Sequence, residues 1–251
     1  MIVPIESERN PVSTQLFDDA FAARSARVIA PGAVHVPNFL STQQQRFLVE
    51  RFRAWAAGPV PARAAKIGEH RMSVRTVCLG WHWRSGGYSR DAVDVNGRRV
   101  LPVPDWLVRL GGLALAAAEA VTDPSSPGGT GFPSQASDYR PDAVLANYYD
   151  ATASMGMHQD RDEPDPAPVV SLSLGDRCRF RFGNSESRNR PYRDLDLDLS
   201  SGDLFVFGGP ARLAFHGVTQ IFPGTSPAGI GLDSGRINLT LRQTGLVDPE
   251  F

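Results

Sequence analysis

Arg236-Ile237-Asn238-Leu239-Thr240-Leu241-Arg242 alternates polar and apolar residues at every step. Side chains of an extended chain point to opposite faces with period two. The stretch therefore reads as a strand with Arg, Asn, Thr and Arg on one face and Ile, Leu and Leu on the other. An amphipathic strand in an antiparallel sheet ordinarily turns its polar face to water. The opposite arrangement, polar face lining a barrel and apolar face packed outside it, would bring two arginines and an asparagine toward one interior space.

Working outward, the same texture extends back to Ala143. AVLANYY, VVSLSL, RCRFRF, RDLDLDL and LFVF are short alternating runs separated by turn residues. Many short strands without long helical stretches between them predict a sandwich or jelly-roll barrel rather than a parallel α/β sheet. Before Ala143 the pattern differs. Ser41 and Gln44 form a capping-box pair, and Phe47, Leu48, Phe52 and Trp55 follow at helical spacing, so a helix is expected over about 42–57, stopped by Gly58 and Pro59. A second helix is expected from Trp106 through Ala117, although Gly111 and Gly112 oppose it. Residues 1–30 read as a loosely held arm and 123–142 as a Pro/Gly/Ser-rich loop. The fold class is thus mainly β: N-terminal helices flank a C-terminal barrel in one domain, 1–251, divided near residue 142.

Composition narrows the chemistry. The 251 residues carry a formal net charge of −1, so nucleic-acid attraction has to come from local clusters of basic residues. Lys66 is the only lysine. Cys78 and Cys178 make no motif and fit a reducing compartment. No secretory leader is evident and no apolar run approaches the roughly 20 residues of a membrane helix, so a cytoplasmic location, without membrane association and as a monomer, is expected.

Histidine occurs five times, at positions 35, 70, 82, 158 and 216. His158 and Asp160 in MGMHQDRDEPD form an H-x-D unit whose side chains, in extended chain, point the same way. An imidazole and a carboxylate, joined by a second imidazole, make the facial triad of non-haem Fe(II) oxygenases, which leaves positions open for co-substrate and O2. Alone the unit is weak, and an exposed acidic turn explains it better. His216 in RLAFHGV would alone read as a satisfied core histidine. It lies 56 residues beyond Asp160, with several strands between, enough for the chain to return beside the first strand of a barrel. The arginines of the 236–242 strand suit a dicarboxylate, which needs charge-assisted donors at its ends.

Taken together, NYYDATASMGMHQDRDEPD, FHG and RINLTLRQTG resemble the AlkB family of Fe(II)/2-oxoglutarate dioxygenases that repair alkylated nucleobases. The resemblance spans roughly residues 72–245. It implies a double-stranded β-helix core over about 143–245, preceded by a nucleotide-recognition lid. It also implies Fe(II), 2-oxoglutarate and O2 as cofactor and co-substrates. By position, His158, Asp160 and His216 would ligate iron and form the catalytic centre; Asn147, Tyr149, Arg236, Asn238 and Arg242 would hold 2-oxoglutarate. The implied reaction hydroxylates an N-alkyl carbon, and the product collapses to an aldehyde and the restored base, with succinate and CO2 as co-products.

For the substrate side, GWHWRSGGYS resembles the family's lid, with Trp81 and Tyr88 at the matching positions; Trp83 reads instead as a core anchor. A base reaches buried iron only when unstacked, so the implied partner is alkylated DNA, single-stranded or with a flipped base, with RNA as an alternative. Asp162 aligns with a contact to the base, and its charge would favour cationic lesions such as 1-methyladenine and 3-methylcytosine. The arginines at 177, 179, 181, 188, 190 and 193 offer phosphate contacts, Arg188 being the best match, while DLDLDL reads as a solvated strand face. Three alternatives stay open: an oxygenase of RNA or a protein side chain, a non-catalytic nucleic-acid-binding barrel, and a cupin with a structural metal.

Overall fold

A computed structural model describes residues 24–121, 132, 136–189 and 196–248. Fourteen strands, β1 (Arg27–Ala30), β2 (Ala33–Val36), β3 (Arg63–Ile67), β4 (His70–Leu79), β5 (His82–Arg84), β6 (Gly87–Ser89), β7 (Ala143–Tyr149), β8 (Met155–His158), β9 (Val169–Gly175), β10 (Arg177–Phe182), β11 (Asp196–Leu199), β12 (Leu204–Phe207), β13 (His216–Phe222) and β14 (Arg236–Arg242), combine with two helices, α1 (Thr42–Ala56) and α2 (Asp105–Glu119). The major sheet runs β1-β2-β12-β9-β14-β7-β4-β3, the minor sheet β11-β10-β13-β8, and β5-β6 form a separate hairpin. All named pairings are antiparallel. This is the jelly roll that the alternating runs predict.

Two apolar layers hold it together. Between the sheets, Val169, Phe205, Phe207 and Tyr149 of the major sheet meet Cys178, Phe180, Phe182, Leu197, Val218 and Ile221 of the minor one. On the outer face of the major sheet, Ile237, Leu239 and Leu241 join Val170, Leu172, Val144 and Ala146 beneath Leu48, Val49, Phe52 and Trp55 of α1 and Leu107, Ala114 and Leu115 of α2. Helix α1 begins with the reciprocal capping box of Ser41 and Gln44. Every residue of β14 is consequently buried, on both faces.

The N-terminal half departs from expectation in two places, and bears out the second helix despite its glycines. Arg27–Ala30 is a paired strand rather than a loose arm, and Arg24 ahead of it forms a bidentate pair with Asp203 at 2.6 and 2.9 Å; residues 1–23 lie outside those described. Strands β1 to β4 complete the major sheet, so the helices do not alone flank a self-contained C-terminal barrel. Helix α2 runs unbroken through Gly111 and Gly112. At Gly111 a Cβ would stand 3.0 Å from Pro141 and 3.1 Å from Leu241, so the missing side chain lets the helix approach the end of β14. That close packing offsets the roughly 1 kcal/mol propensity cost of a helical glycine. The expected 123–142 loop falls mostly outside the described residues. Among those described, no helix is long and apolar enough to cross a membrane.

Candidate iron and 2-oxoglutarate site

His158 ends β8 and sits in register with His216 at the start of β13; their ring centroids lie 4.4 Å apart. Asp160 follows two residues beyond β8, with Oδ1 3.6 Å from His158 Nε2 and Oδ2 3.7 Å from His216 Nε2. These separations exceed hydrogen-bond range, yet one ligand atom from each residue falls within 4.8 Å of the others. Each imidazole is oriented through its other nitrogen: His158 Nδ1 lies 3.0 Å from the Gly156 carbonyl and His216 Nδ1 2.9 Å from that of Ala214. A carbonyl only accepts, so both Nδ1 atoms carry the proton and both Nε2 lone pairs face Asp160, as metal ligation requires.

The electrostatics suit a cation. Burial, reinforced by neighbouring His158, lowers the His216 pKa to about 4, so its imidazole is neutral at pH 7. Phe207, Phe180 and Phe182 surround that ring, with centroids at 4.8, 6.0 and 6.5 Å. Burial opposes ionisation of Asp160, but Arg242 and the two imidazoles outweigh it and hold the carboxyl well below the usual range. Asp160 Oδ2 has no hydrogen-bond partner. A buried anionic oxygen without a donor is costly unless a cation meets it. The remaining histidines lie elsewhere: His35 bonds Asp203 at 2.9 Å, His82 bonds Asp94 at 2.6 Å, and His70 lies exposed.

A cavity of about 550 Å³ opens over the triad. Its wall includes Asn147 and Tyr149 of β7 and Arg236, Asn238, Thr240 and Arg242 of β14. The polar face of β14 therefore points inward. Arg236 is 1% exposed and spends one bond, Nη2 to Ser173 Oγ at 3.0 Å; its Nε and Nη1 have no partner. A buried guanidinium with donors left unpaired is suited to a charge-assisted bond from a carboxylate. Arg242 differs. Its Nη2 pairs Asp160 at 2.7 Å and its Nη1 pairs Glu163 at 2.6 Å, leaving only Nε without a partner. Asn147 accepts from Thr76 at 2.7 Å, and Asn238 donates to Ser171 at 2.7 Å and accepts from Thr240 at 2.9 Å. The donor set fits an iron and an adjoining dicarboxylate.

A family model for the 2OG-Fe(II) oxygenase superfamily matches residues 32–242. The chain belongs to that superfamily. Within it the chain is AlkB-like: it is 40% identical over 232 residues, 89% of this chain and 96% of the other, to the alpha-ketoglutarate-dependent dioxygenase AlkB homolog of Caulobacter vibrioides. It is also 30% identical over 225 residues to the DNA N(6)-methyladenine demethylase ALKBH1D of Arabidopsis thaliana, covering 86% of this chain and 50% of that protein. The solved structure of OsALKBH1 superimposes with a TM-score of 0.75 at 30% identity, over 85% of this chain and 99% of that one.

Within this dioxygenase the residues expected to touch substrate are not all brought together. Asp162 and Arg188 line the cavity mouth; Arg188 rests 5.9 Å from the ring centroid of Phe215. Trp81 is absent from that lining. It is 3% exposed, donates its indole N–H to Asp142 at 3.0 Å, and has Arg90 stacked 3.6 Å from its centroid. Trp83, expected to be a core anchor, does pack against a small apolar cluster but also lines the cavity. Tyr88 is half-buried, donates to Glu163 and accepts from Arg242 at 2.8 Å. Three of the arginines expected to offer phosphate contacts are already paired: Arg177 and Arg179 both reach Asp198 at 2.5 Å, and Arg181 reaches Asp196 at 2.8 Å. Asp196 and Asp198 of that acidic run thus neutralise β10 across the strand pair rather than standing free in water. Arg190 and Arg193 lie outside the described residues.

Arg212 escaped the sequence reading. It is 6% exposed, and it binds the Asp160 backbone carbonyl, the Ala167 carbonyl at 2.9 Å and Glu163 at 3.0 Å. The available signal was a lone arginine inside the apolar run ARLAFHG, four residues before His216.

Proposed function

We propose that this dioxygenase oxidatively demethylates alkylated bases in DNA, with ring-nitrogen lesions such as 1-methyladenine and 3-methylcytosine as preferred substrates. The observation that carries the reading is the joint wall of one cavity: the His158–Asp160–His216 cluster, the unpaired donors of Arg236, and an exposed carboxylate, Asp162, at the mouth. Iron with 2-oxoglutarate supplies the oxidising power when bound, while the protein contributes binding, orientation and exclusion of water.

His158, Asp160 and His216 would hold the iron. Arg236 would grip one carboxylate of 2-oxoglutarate, with Asn147, Tyr149 and Asn238 beside it. Arg242 orients Asp160 more than it binds co-substrate, because both its terminal nitrogens are engaged. Apolar walls from Met72, Leu145, Phe180 and Phe207 keep the site dry. Ring-nitrogen methylation makes adenine and cytosine cationic, and Asp162 attracts that charge over a neutral base.

The relatives support a second reading, N6-methyladenine in DNA, a neutral substrate. Succinate release and loss of the methyl group, followed on otherwise identical single-stranded oligonucleotides carrying 1-methyladenine, 3-methylcytosine or N6-methyladenine, decide between them. The first reading requires faster turnover of the cationic bases and loss of that preference in Asp162→Asn. Faster turnover of N6-methyladenine establishes the second; turnover of none would leave RNA or protein substrates.

A further inference from the structure

Two tryptophans two residues apart have different surroundings. Trp81 is closed on its edge by Asp142 and on its face by Arg90, and it contributes nothing to the cavity. Trp83, on β5, packs one side against the small core of Val60, Cys78, Ala92, Val100 and Leu145 and is half-buried against the cavity on the other. Its indole N–H donates to Asp162 Oδ2 at 2.9 Å.

The hairpin that carries Trp83 is stitched to the loop after the metal ligands at two adjacent points. Trp83 and Tyr88 are directly paired across β5 and β6. The first bonds Asp162 and the second Glu163, successive residues that follow Asp160. Beneath the hairpin, Arg63 donates to the Trp83 carbonyl at 2.6 Å and to Asp94 at 3.0 Å, and Asp94 binds the buried His82. The indole is therefore fixed by its backbone, its N–H and its packing. The Tyr88–Glu163 stitch is tied into Arg212 and Arg242, with the Glu163 side chain fully buried. The Trp83–Asp162 stitch is exposed to the cavity, and Asp162 takes no other hydrogen bond among the described residues.

We infer that Trp83, not Trp81, is the aromatic surface that receives the target base, and that its N–H holds Asp162 in place beside that base. The assignment rests on the reading of an alkylated base in the iron cavity. An aromatic face is tolerant of base identity, since every base stacks. Discrimination would then come from the carboxylate that the same side chain orients. Trp83 is thus a specificity residue, and Trp81 a structural one.

The test uses the iron-loaded enzyme with a single-stranded oligonucleotide carrying 1-methyladenine, read by steady-state kinetics and by tryptophan fluorescence under anaerobic conditions. Trp83→Ala is expected to raise KM about 5- to 150-fold. Trp83→Phe is expected to restore most of the KM but to lose preference for 1-methyladenine over N6-methyladenine. Oligonucleotide should quench the fluorescence of wild type and Trp81→Phe, and leave that of Trp83→Phe unchanged. Wild-type KM in Trp83→Ala, or quenching lost in Trp81→Phe and kept in Trp83→Phe, overturns this assignment while leaving the demethylase reading standing. A wild-type enzyme that turns over none of the methylated oligonucleotides overturns the demethylase reading and this assignment with it.

Discussion

Strands β10 and β14 carry nearly the same pattern, RCRFRF and RINLTLR, and put it to opposite uses. In β10 the apolar set Cys178, Phe180 and Phe182 faces the space between the sheets, and the arginines face outward onto Asp196 and Asp198 of β11. In β14 the apolar set faces outward beneath α1 and α2, and the arginines face the interior. Period two assigns residues to faces without saying which face is inside. Two things decide it here: a helical cover that buries the outer face of β14, and acids on the neighbouring strand that satisfy the arginines of β10. Interior arginines lacking such an acid, as Arg236 does, are the ones left for a ligand.

The comparison is broken most severely at the cavity itself. His158→Ala removes a half-exposed imidazole of the candidate iron site without touching either core, so succinate formation is expected to fall below detection while the circular-dichroism spectrum is unchanged. Retention of more than a trace of activity would remove this cluster from the chemistry.

Next in size is Arg242→Ala. It strips the buried Asp160 and Glu163 carboxylates of their shared cation, and breaking a buried pair costs about 3–5 kcal/mol. A large drop in Tm is expected, and an unchanged Tm would show that the inward face of β14 is not held by ion pairs. Arg236→Ala leaves no carboxylate stranded, so its effect should fall on the co-substrate. Loss of charge-assisted bonds worth about 1.5–3 kcal/mol raises the 2-oxoglutarate requirement roughly tenfold or more. An unaltered titration would rule the residue out as the carboxylate site.

A subtler contrast is with pH. Burial alone would raise the Glu163 pKa, but Arg242 and the hydrogen bonds from Tyr88 and Arg212 outweigh it and lower it. A depressed carboxyl contributes stability above its unfolded pKa, near 4.3 for Glu, and loses it as pH falls through the folded value. The stability gap between wild type and Glu163→Gln should therefore be widest near neutrality and close below about pH 4. A constant gap in urea melts would show that the ionised form is not what matters.

Arg179→Ala closes the series. Its side chain is 41% exposed and shares Asp198 with Arg177, so solvent screening limits the loss to within about 1 kcal/mol. Activity and oligonucleotide binding should be unchanged; a marked loss of binding would return the outer face of β10 to the substrate surface.

The order of the strands' residues, the capping box of α1 and the H-x-D unit were all legible from neighbours in sequence, because alternation, capping and i,i+2 geometry are local. The resemblance to the AlkB family, not a local rule, joined His216 to His158 and Asp160. Their convergence depends on β8 and β13 lying side by side, a pairing between residues some 58 positions apart that no local pattern encodes. Helix α2 was doubted because propensity penalises Gly111 and Gly112, and only the contact with Pro141 and Leu241 shows why a side chain there is excluded. The two tryptophans were indistinguishable by composition and spacing, and their partners, Asp142 for one and Asp162 for the other, lie 61 and 79 residues away. The same holds for Arg212, whose partners, the carbonyl of Asp160 and the carboxylate of Glu163, lie 52 and 49 residues away. Sequence alone determined the periodicities and the chemistry available on each face. Tertiary structure decided which face is buried and which charges meet, because burial and ion pairing are set by segments distant along the chain.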